Sequence, residues 1–250
     1  MAAKILIFDL ETFPMLYYSW RPWDSRALEV LEYSSIISFS AKWLDGKHIT
    51  KALCDYNTKN PEKSLITELW SMIDGADIIV AHNGKAFDFG RMNSAFIKFN
   101  LPPPTPVQKV DTKKVAKEIF GFDSNSLENL VQFLGLGEKM ATGGYELWKE
   151  CRAGNSKAWA KMKTYNAHDV TLLERVYLTL RPWMCNHPNL NLYSRGEGCP
   201  KCGGPSDRIQ SRGEYEARTR LYKRYQCQTC KGWLKEVQSI KGVKAKFAGV

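Results

Sequence analysis

The chain has 250 residues, 44% of them hydrophobic, with 36 Lys and Arg against 26 Asp and Glu for a formal net charge of +10. That apolar content suits one folded domain of ordinary size with a small appendage, and it excludes a disordered or low-complexity chain. No apolar run approaches the roughly eighteen residues of a membrane span, and the short run after Lys4 lacks the long apolar region of a signal peptide, so a soluble cytoplasmic chain is expected.

Taken in chain order, the first predicted element is a strand at Ile5 to Phe8, which runs into Asp9 and Glu11. Residues two apart on a strand point the same way, so these two carboxylates face one site together. Like charges that close raise each other's pKa unless a cation sits between them, and a divalent metal is the natural candidate. Further strands are expected at Ile36 to Trp43, Ile49 to Tyr56 and Ile78 to Ala81, with "DGK" at 45 to 47 turning the second strand into the third. Helices are expected at about 61 to 73, 88 to 99, 112 to 120, 126 to 134 and 156 to 180. Ser126 reads as an N-cap and Gly135 as a stop, and the proline-rich "LPPPTP" at 101 to 106 reads as a rigid loop leading to "KVD". Asp111, between a strand and a helix, suits an N-cap better than a metal ligand. Strands, crossover helices and acids at strand ends describe a mixed β-sheet flanked by helices, an α/β fold.

Apolar periodicity stops in "NHPNLNLYSRGEGCP", which separates an expected domain at 1–187 from a second at 195–250. Residues 191–250 hold 13 Lys and Arg against 5 Asp and Glu, so the tail carries most of the excess charge. Cys199 and Cys202 form one C-x-x-C pair, Cys227 and Cys230 a second, with 24 residues between them. Two such knuckles complete a tetrahedron of thiolates around one structural Zn²⁺, with free thiols or disulfides as the alternative, and strand-like "KRYQC" and "WLKEV" around the second knuckle give a spacing that resembles a zinc ribbon. Cys54, Cys151 and Cys185 are scattered and read as small core residues. Arg208, Arg212, Arg218, Arg220, Lys223 and Arg224 alternate with tyrosines, a pattern suited to phosphates and bases; a solvated basic surface or a docking face for another protein is the alternative.

Two further acids complete the opening pair. In "AHNGKAFDFGRM" a buried strand ends at Ala81 and Asp88 sits where a helix begins; in "YNAHDV" Tyr165 lies four residues before Asp169, so both project from one helical face. "FDLET", "AHNGKAFDFGRM" and "YNAHDV", in that order, resemble the three motifs of DEDD-type 3'-to-5' exonucleases of the ribonuclease H-like superfamily, the group that includes polymerase proofreading domains. The resemblance covers about residues 4 to 180, follows the tyrosine branch through Tyr165, and leaves His168 a bystander. Its general character is also similar to stand-alone exonucleases of phage replication modules, which implies the host cytoplasm as the setting.

The resemblance implies a catalytic set of Asp9, Glu11, Asp88, Tyr165 and Asp169, with the four acids holding two Mg²⁺ or Mn²⁺ ions. Hydrolysis of a phosphodiester needs a hydroxide near neutral pH and neutralisation of charge on phosphate oxygens, and two metals provide both. Asp9 would bridge the ions, Glu11 and Asp169 would complete one site, and Asp88 would reach the second through water; Tyr165 would orient the attacking water. Asn83, Phe87, Leu10 and Thr12 are the candidates for holding the terminal nucleotide. Asn83 and Phe87 serve equally well as turn residues, and His82 reads as structural. The expected activity is release of 5'-mononucleotides from single-stranded DNA 3' ends, with replication proteins as further partners. A structure-specific endonuclease, an RNA exonuclease, or a ribbon adaptor with a vestigial nuclease site are the alternatives. Two stretches stay open: "PMLYYSWRPWD" at 14 to 24 either stacks on unpaired bases or covers the core, and the glycine-containing 137–151 segment either approaches substrate or is an ordinary connector.

Overall fold

The apolar opening forms β1 (Ile5–Phe13) at the centre of a five-stranded sheet, in a computed structural model that describes residues 2–21, 23, 26–217 and 220–240. A small hairpin, β2 (Leu16–Tyr18) and β3 (Glu29–Glu32), follows it. Then β4 (Ser35–Trp43) pairs antiparallel with β1, and β5 (His48–Ala52) antiparallel with β4. Helix α1 (Pro61–Asp74) crosses over to β6 (Ile78–Ala81), which lies parallel to β1, and α2 (Asp88–Lys98) leads to β7 (Gln108–Asp111), parallel to β6. The order is β5-β4-β1-β6-β7, the mixed sheet that the sequence implied. Helices α3 (Thr112–Ile119), α4 (Leu127–Phe133), α5 (Glu146–Arg152) and α6 (Ser156–Leu180) follow.

Alternation along β1 divides its side chains between two cores. Leu6, Phe8 and Leu10 pack with Leu65, Ile66 and Leu69 of α1 and with Phe89, Met92 and Phe96 of α2. Phe13 instead joins Ile37, Leu147 of α5, and Trp159 and Met162 of α6. Each fully buried side chain of this kind contributes roughly 1.5–3 kcal/mol, which holds β1 between the two helical layers. Asp9 and Glu11 share the parity of Phe13, so they emerge on the α6 side. Local signals set the helix ends: Asn60 Oδ1 accepts from the Lys63 N–H at 2.9 Å ahead of Pro61, and Ser126 Oγ accepts from the Asn129 N–H at 3.2 Å.

The chain divides into two units, Lys4–Tyr177 and Met1–Ala3 with Leu178–Val250. The second contains β8 (Ile209–Ala217), β9 (Arg220–Cys227) and β10 (Trp233–Lys235) as an antiparallel sheet in the order β10-β9-β8. Among the described residues, no helix is long and apolar enough to cross a membrane.

Several expectations need correction. β1 continues to Phe13 rather than ending at Phe8, because β4 pairs with it along its whole length, so the two carboxylates lie within the strand. β5 stops at Ala52, where Leu53–Asp55 forms a 3-10 turn. The β2–β3 hairpin and α5 had no sequence counterpart. Trp20 and Trp23 are 83% and 96% exposed, and Tyr18 is also exposed, so these aromatics do not cover the core. Cys151 is buried as expected, but Cys54, in the 3-10 turn, and Cys185, just beyond the turn that ends at Trp183, are both exposed.

Candidate functional site

Three elements bring the acids of the Lys4–Tyr177 unit together. β1 supplies Asp9 and Glu11, and α6 supplies Asp169 one turn after Tyr165. One carboxylate oxygen from each of Asp9, Glu11 and Asp169 lies within 4.8 Å of the others. Asp88 opens α2 and is buried outside that trio, yet its charge still raises the pKa of Asp9.

The turn that delivers Asp88 is built for close approach. Asn83 sits at φ +70°, and a Cβ on Gly84 would stand 2.7 Å from the Ala81 Cβ and 2.8 Å from the Phe89 ring, so only glycine fits without rearrangement. Asp111 ties the turn down. Its Oδ1 accepts from the Asn83 N–H and its Oδ2 from the Lys85 N–H, both at 3.0 Å, while Oδ1 also accepts from the Lys113 and Lys114 N–H groups as the N-cap of α3. His82 is bonded at both ring nitrogens, 2.9 Å from Thr112 Oγ1 and 3.1 Å from the Asn125 carbonyl, and burial lowers its pKa to about 4. It is a neutral structural bridge.

The electrostatics are those of an acidic cluster whose burial and mutual repulsion outweigh the one nearby ammonium, that of Lys139, among the described residues. Burial, then the charges of Glu11, Asp88 and Asp169, raise Asp9 well above the carboxylate range. Burial and the Asp169 charge push Glu11 up to about 8, and burial pushes Asp88 up to about 7. Asp88 Oδ1 and Asp169 Oδ1 are buried without a hydrogen-bond partner, and such orphaned acceptors mark a place for something positive. Hard oxygen ligands at this spacing fit Mg²⁺ or Mn²⁺. Burial, the charges of Asp169 and Glu11 and the hydrogen bond to Asp169 raise the Tyr165 phenol pKa, so its O–H stays on and is given to Asp169.

Two residues that sequence reasoning missed complete the site. Asn166 is fully buried; its Nδ2 donates to Asp9 Oδ2 at 2.8 Å and its Oδ1 accepts from the Ser38 hydroxyl at 3.0 Å, which fixes the amide orientation and the carboxylate with it. Its place three residues before Asp169 on α6 was the available signal. Lys139 is the second. Its Nζ lies 2.7 Å from Asp169 Oδ2, 3.4 Å from the Tyr165 hydroxyl and 5.5 Å from the centre of that ring. The 137–151 segment therefore enters the site, and side chains of α6 hold it there: His168 Nε2 donates to the Glu138 carbonyl and Arg175 Nη1 to the Leu136 carbonyl, each at 2.7 Å, and Lys161 Nζ to the Thr142 carbonyl at 2.9 Å. His168, through that bond, positions the Lys139 loop.

Among the candidates for the terminal nucleotide, Asn83 and Phe87 occupy the turn before Asp88, and the Arg91 guanidinium lies over the Phe87 ring at 5.5 Å. Thr12 is half-buried at the β1 bulge. Leu10 is a correction: its side chain is buried in the core with Leu6 and Phe8, because it has the opposite parity to Asp9 and Glu11, so its side chain does not reach the site, while its backbone N–H donates to Asp88.

In the other unit the four thiols of Cys199, Cys202, Cys227 and Cys230 offer sulfur atoms all within 4.8 Å of one another. The Cys199–Cys230 and Cys202–Cys227 sulfur separations are 3.8 Å each. A tetrahedron with Zn–S bonds of about 2.3 Å has edges of about 3.8 Å, whereas a disulfide would need about 2.05 Å, so the thiols fit zinc and do not fit two disulfides. Arg220, Lys223 and Arg224 lie on β9 and Arg212 in a bulge of β8, where its carbonyl accepts from the Arg224 guanidinium at 2.9 Å. Arg208 ends a 3-10 turn, and Arg218 lies outside the described residues.

Comparison with known proteins bears on the first unit. No curated protein matches the chain. Among solved structures, the family B DNA polymerase from the hyperthermophilic archaeon Pyrobaculum calidifontis is similar, with a TM-score of 0.52 and 14% identity over 72% of this chain. The chain spans only 25% of that polymerase, and at such identity the likeness concerns the fold. A family model described as RNase_H superfamily matches residues 15–181, a stretch that includes Asp88, Tyr165 and Asp169 and begins just after Asp9 and Glu11. That match covers well over half of the chain and agrees with the mixed sheet and its flanking helices, so the chain belongs to the RNase H superfamily.

Proposed function

We propose that this chain is a divalent-metal-dependent 3'-to-5' exonuclease that shortens single-stranded DNA and releases 5'-mononucleotides. The observation that carries the reading is the convergence of Asp9, Glu11 and Asp169 within 4.8 Å, with the buried Asp88 and with Tyr165 one turn before Asp169 on α6. When bound, Mg²⁺ or Mn²⁺ ions supply charge neutralisation at the phosphate and a water acidic enough to attack near neutral pH. Asp9, held by Asn166, and Glu11 and Asp169 would hold the cations. Tyr165 would orient the attacking water by a hydrogen bond, since a phenol is a poor bulk base at neutral pH. In the reaction the water gives up a proton to solvent as its oxygen bonds to phosphorus, the bond to the 3' oxygen of the preceding nucleotide breaks, and that oxygen takes up a proton from solvent. The basic ribbon would add grip on the strand, with its four thiolates around zinc serving stability alone.

The test uses 5'-end-labelled DNA with Mg²⁺ or Mn²⁺. Progressive shortening from the 3' end that Asp9→Ala abolishes supports the reading; shortening that survives Asp9→Ala places the chemistry elsewhere. Cutting of covalently closed circles would favour an endonuclease. Matched DNA and RNA strands in one assay decide between polymers, because the acidic site addresses the phosphate that both share. Binding without cleavage in either metal would favour an adaptor.

A further inference from the structure

The ribbon sheet separates its charges by face, and a single bulge brings this about. Pairing runs in step from Ile209↔Cys227 to Ser211↔Tyr225, then shifts and resumes at Glu214↔Lys223 and Tyr215↔Tyr222. The extra residue falls at Arg212–Gly213, where Gly213 has φ +80°. One residue of slip reverses the parity of everything beyond it. Without the bulge, Glu214 and Glu216 would stand beside Tyr222, and Tyr215 would point away. With it, Tyr215, Tyr222 and Trp233 share one face with Arg220, Arg224 and Lys235, and among the described residues of this sheet that face carries no carboxylate. The opposite face takes Glu214 and Glu216, with Lys223 and Tyr225; Glu236, just beyond β10, accepts from the Tyr225 hydroxyl at 2.6 Å and lies 4.0 Å from the Lys223 ammonium.

Side-chain contacts follow the same division. Lys235 Nζ stands 4.4 Å from the centre of the Tyr222 ring and 5.8 Å from that of Tyr215, and the Arg224 guanidinium stands 5.0 Å from that of Trp233. The cations are thus held against the rings. The aromatics still reach solvent, Tyr215 at 44% and Trp233 at 51% exposure.

We infer that this aromatic and cationic face of the ribbon binds an unpaired nucleic-acid strand, with bases stacked on Tyr215, Tyr222 and Trp233 and phosphates met by Arg220, Arg224 and Lys235. A positive face with no carboxylate complements a polyanion, and exposed rings between the cations complement unstacked bases, which a duplex does not offer. The inference deepens the proposed function, since it names where the single strand is gripped, but it depends on no acidic residue of the nuclease site.

The experiment measures binding of the full-length chain, kept free of Mg²⁺ and Mn²⁺, to a labelled 30-nucleotide single strand and to a duplex of the same length across a salt series. Tyr222→Ala and Trp233→Ala should each weaken single-strand binding by about 5- to 150-fold, the range for losing one stacked base, and leave duplex binding nearly unchanged. Lys235→Glu and Lys223→Glu make the same charge change on opposite faces, so the first should weaken binding at least about tenfold more than the second and should flatten the salt dependence. Zinc content and melting temperature of each variant confirm that the ribbon is folded, and both charge reversals are at exposed or half-exposed positions that the sheet tolerates. Equal losses from Lys223→Glu and Lys235→Glu, parental binding by the aromatic variants, or equal losses on duplex and single strand would overturn the inference. Cleavage by the parent in the presence of Mn²⁺ is scored separately, so a failed grip and a failed nuclease reading are told apart.

Discussion

Among the described residues Lys139 brings an ammonium against the acidic cluster, and Lys139→Met removes it while keeping most of the side-chain stem. Lys139 Nζ lies 2.7 Å from Asp169 Oδ2, and Asp169 is buried. At that separation and an effective dielectric of about 20, the attraction is about 6 kcal/mol, and desolvation of the ammonium offsets part of it. Breaking a buried pair costs about 3–5 kcal/mol, and with Lys139 about a quarter exposed the lower end applies, about 3 kcal/mol. For a unit of this size that corresponds to a fall of about 6–12 °C in melting temperature. The measurement is thermal denaturation at pH 8 in buffer freed of divalent cations by a resin mild enough to leave in place any zinc that the four thiols hold, and again with excess Mn²⁺. In Mn²⁺ the difference from the parent should shrink to under about 1 kcal/mol, because bound cations replace the missing charge. An equal loss in both buffers would refute the electrostatic argument and leave Lys139 as a packing residue of its loop.

The metal-free protein should lose stability as pH rises from about 5 to about 8, since Glu11 and Asp88, raised to about 8 and about 7, keep protons in the folded state that the unfolded chain has released; excess Mn²⁺ should flatten that slope, and urea titrations across pH would read it. Asp111→Asn removes an acceptor from the Lys85 N–H and should cost about 1–3 kcal/mol in the melting curve, with a larger drop in cleavage than in strand binding because Asp88 loses its supported turn. Cys199→Ser should release zinc, seen by metal analysis, and unfold the ribbon, while cleavage of short oligonucleotides stays measurable.

The local sequence determined much of this protein by itself. The apolar run Ile5 to Phe8 that starts β1, the caps at Ser126 and Asp111, and the period of α6 are statements about nearest neighbours, and they appear in the structure, although β1 itself runs on to Phe13. The two C-x-x-C pairs are equally local, because each knuckle is made within four residues. Three properties required the tertiary structure. Leu10 stood among the candidates for holding the terminal nucleotide, but which parity of β1 meets α6 is settled by the helical layers on either side of the sheet. Asn166 and Lys139 touch Asp9 and Asp169 across 157 and 30 residues of chain, separations that no periodicity reports. In the ribbon, alternating basic and aromatic residues in sequence do not say which share a face; one bulge at Gly213 decides it, since a single added residue inverts a pattern whose period is two.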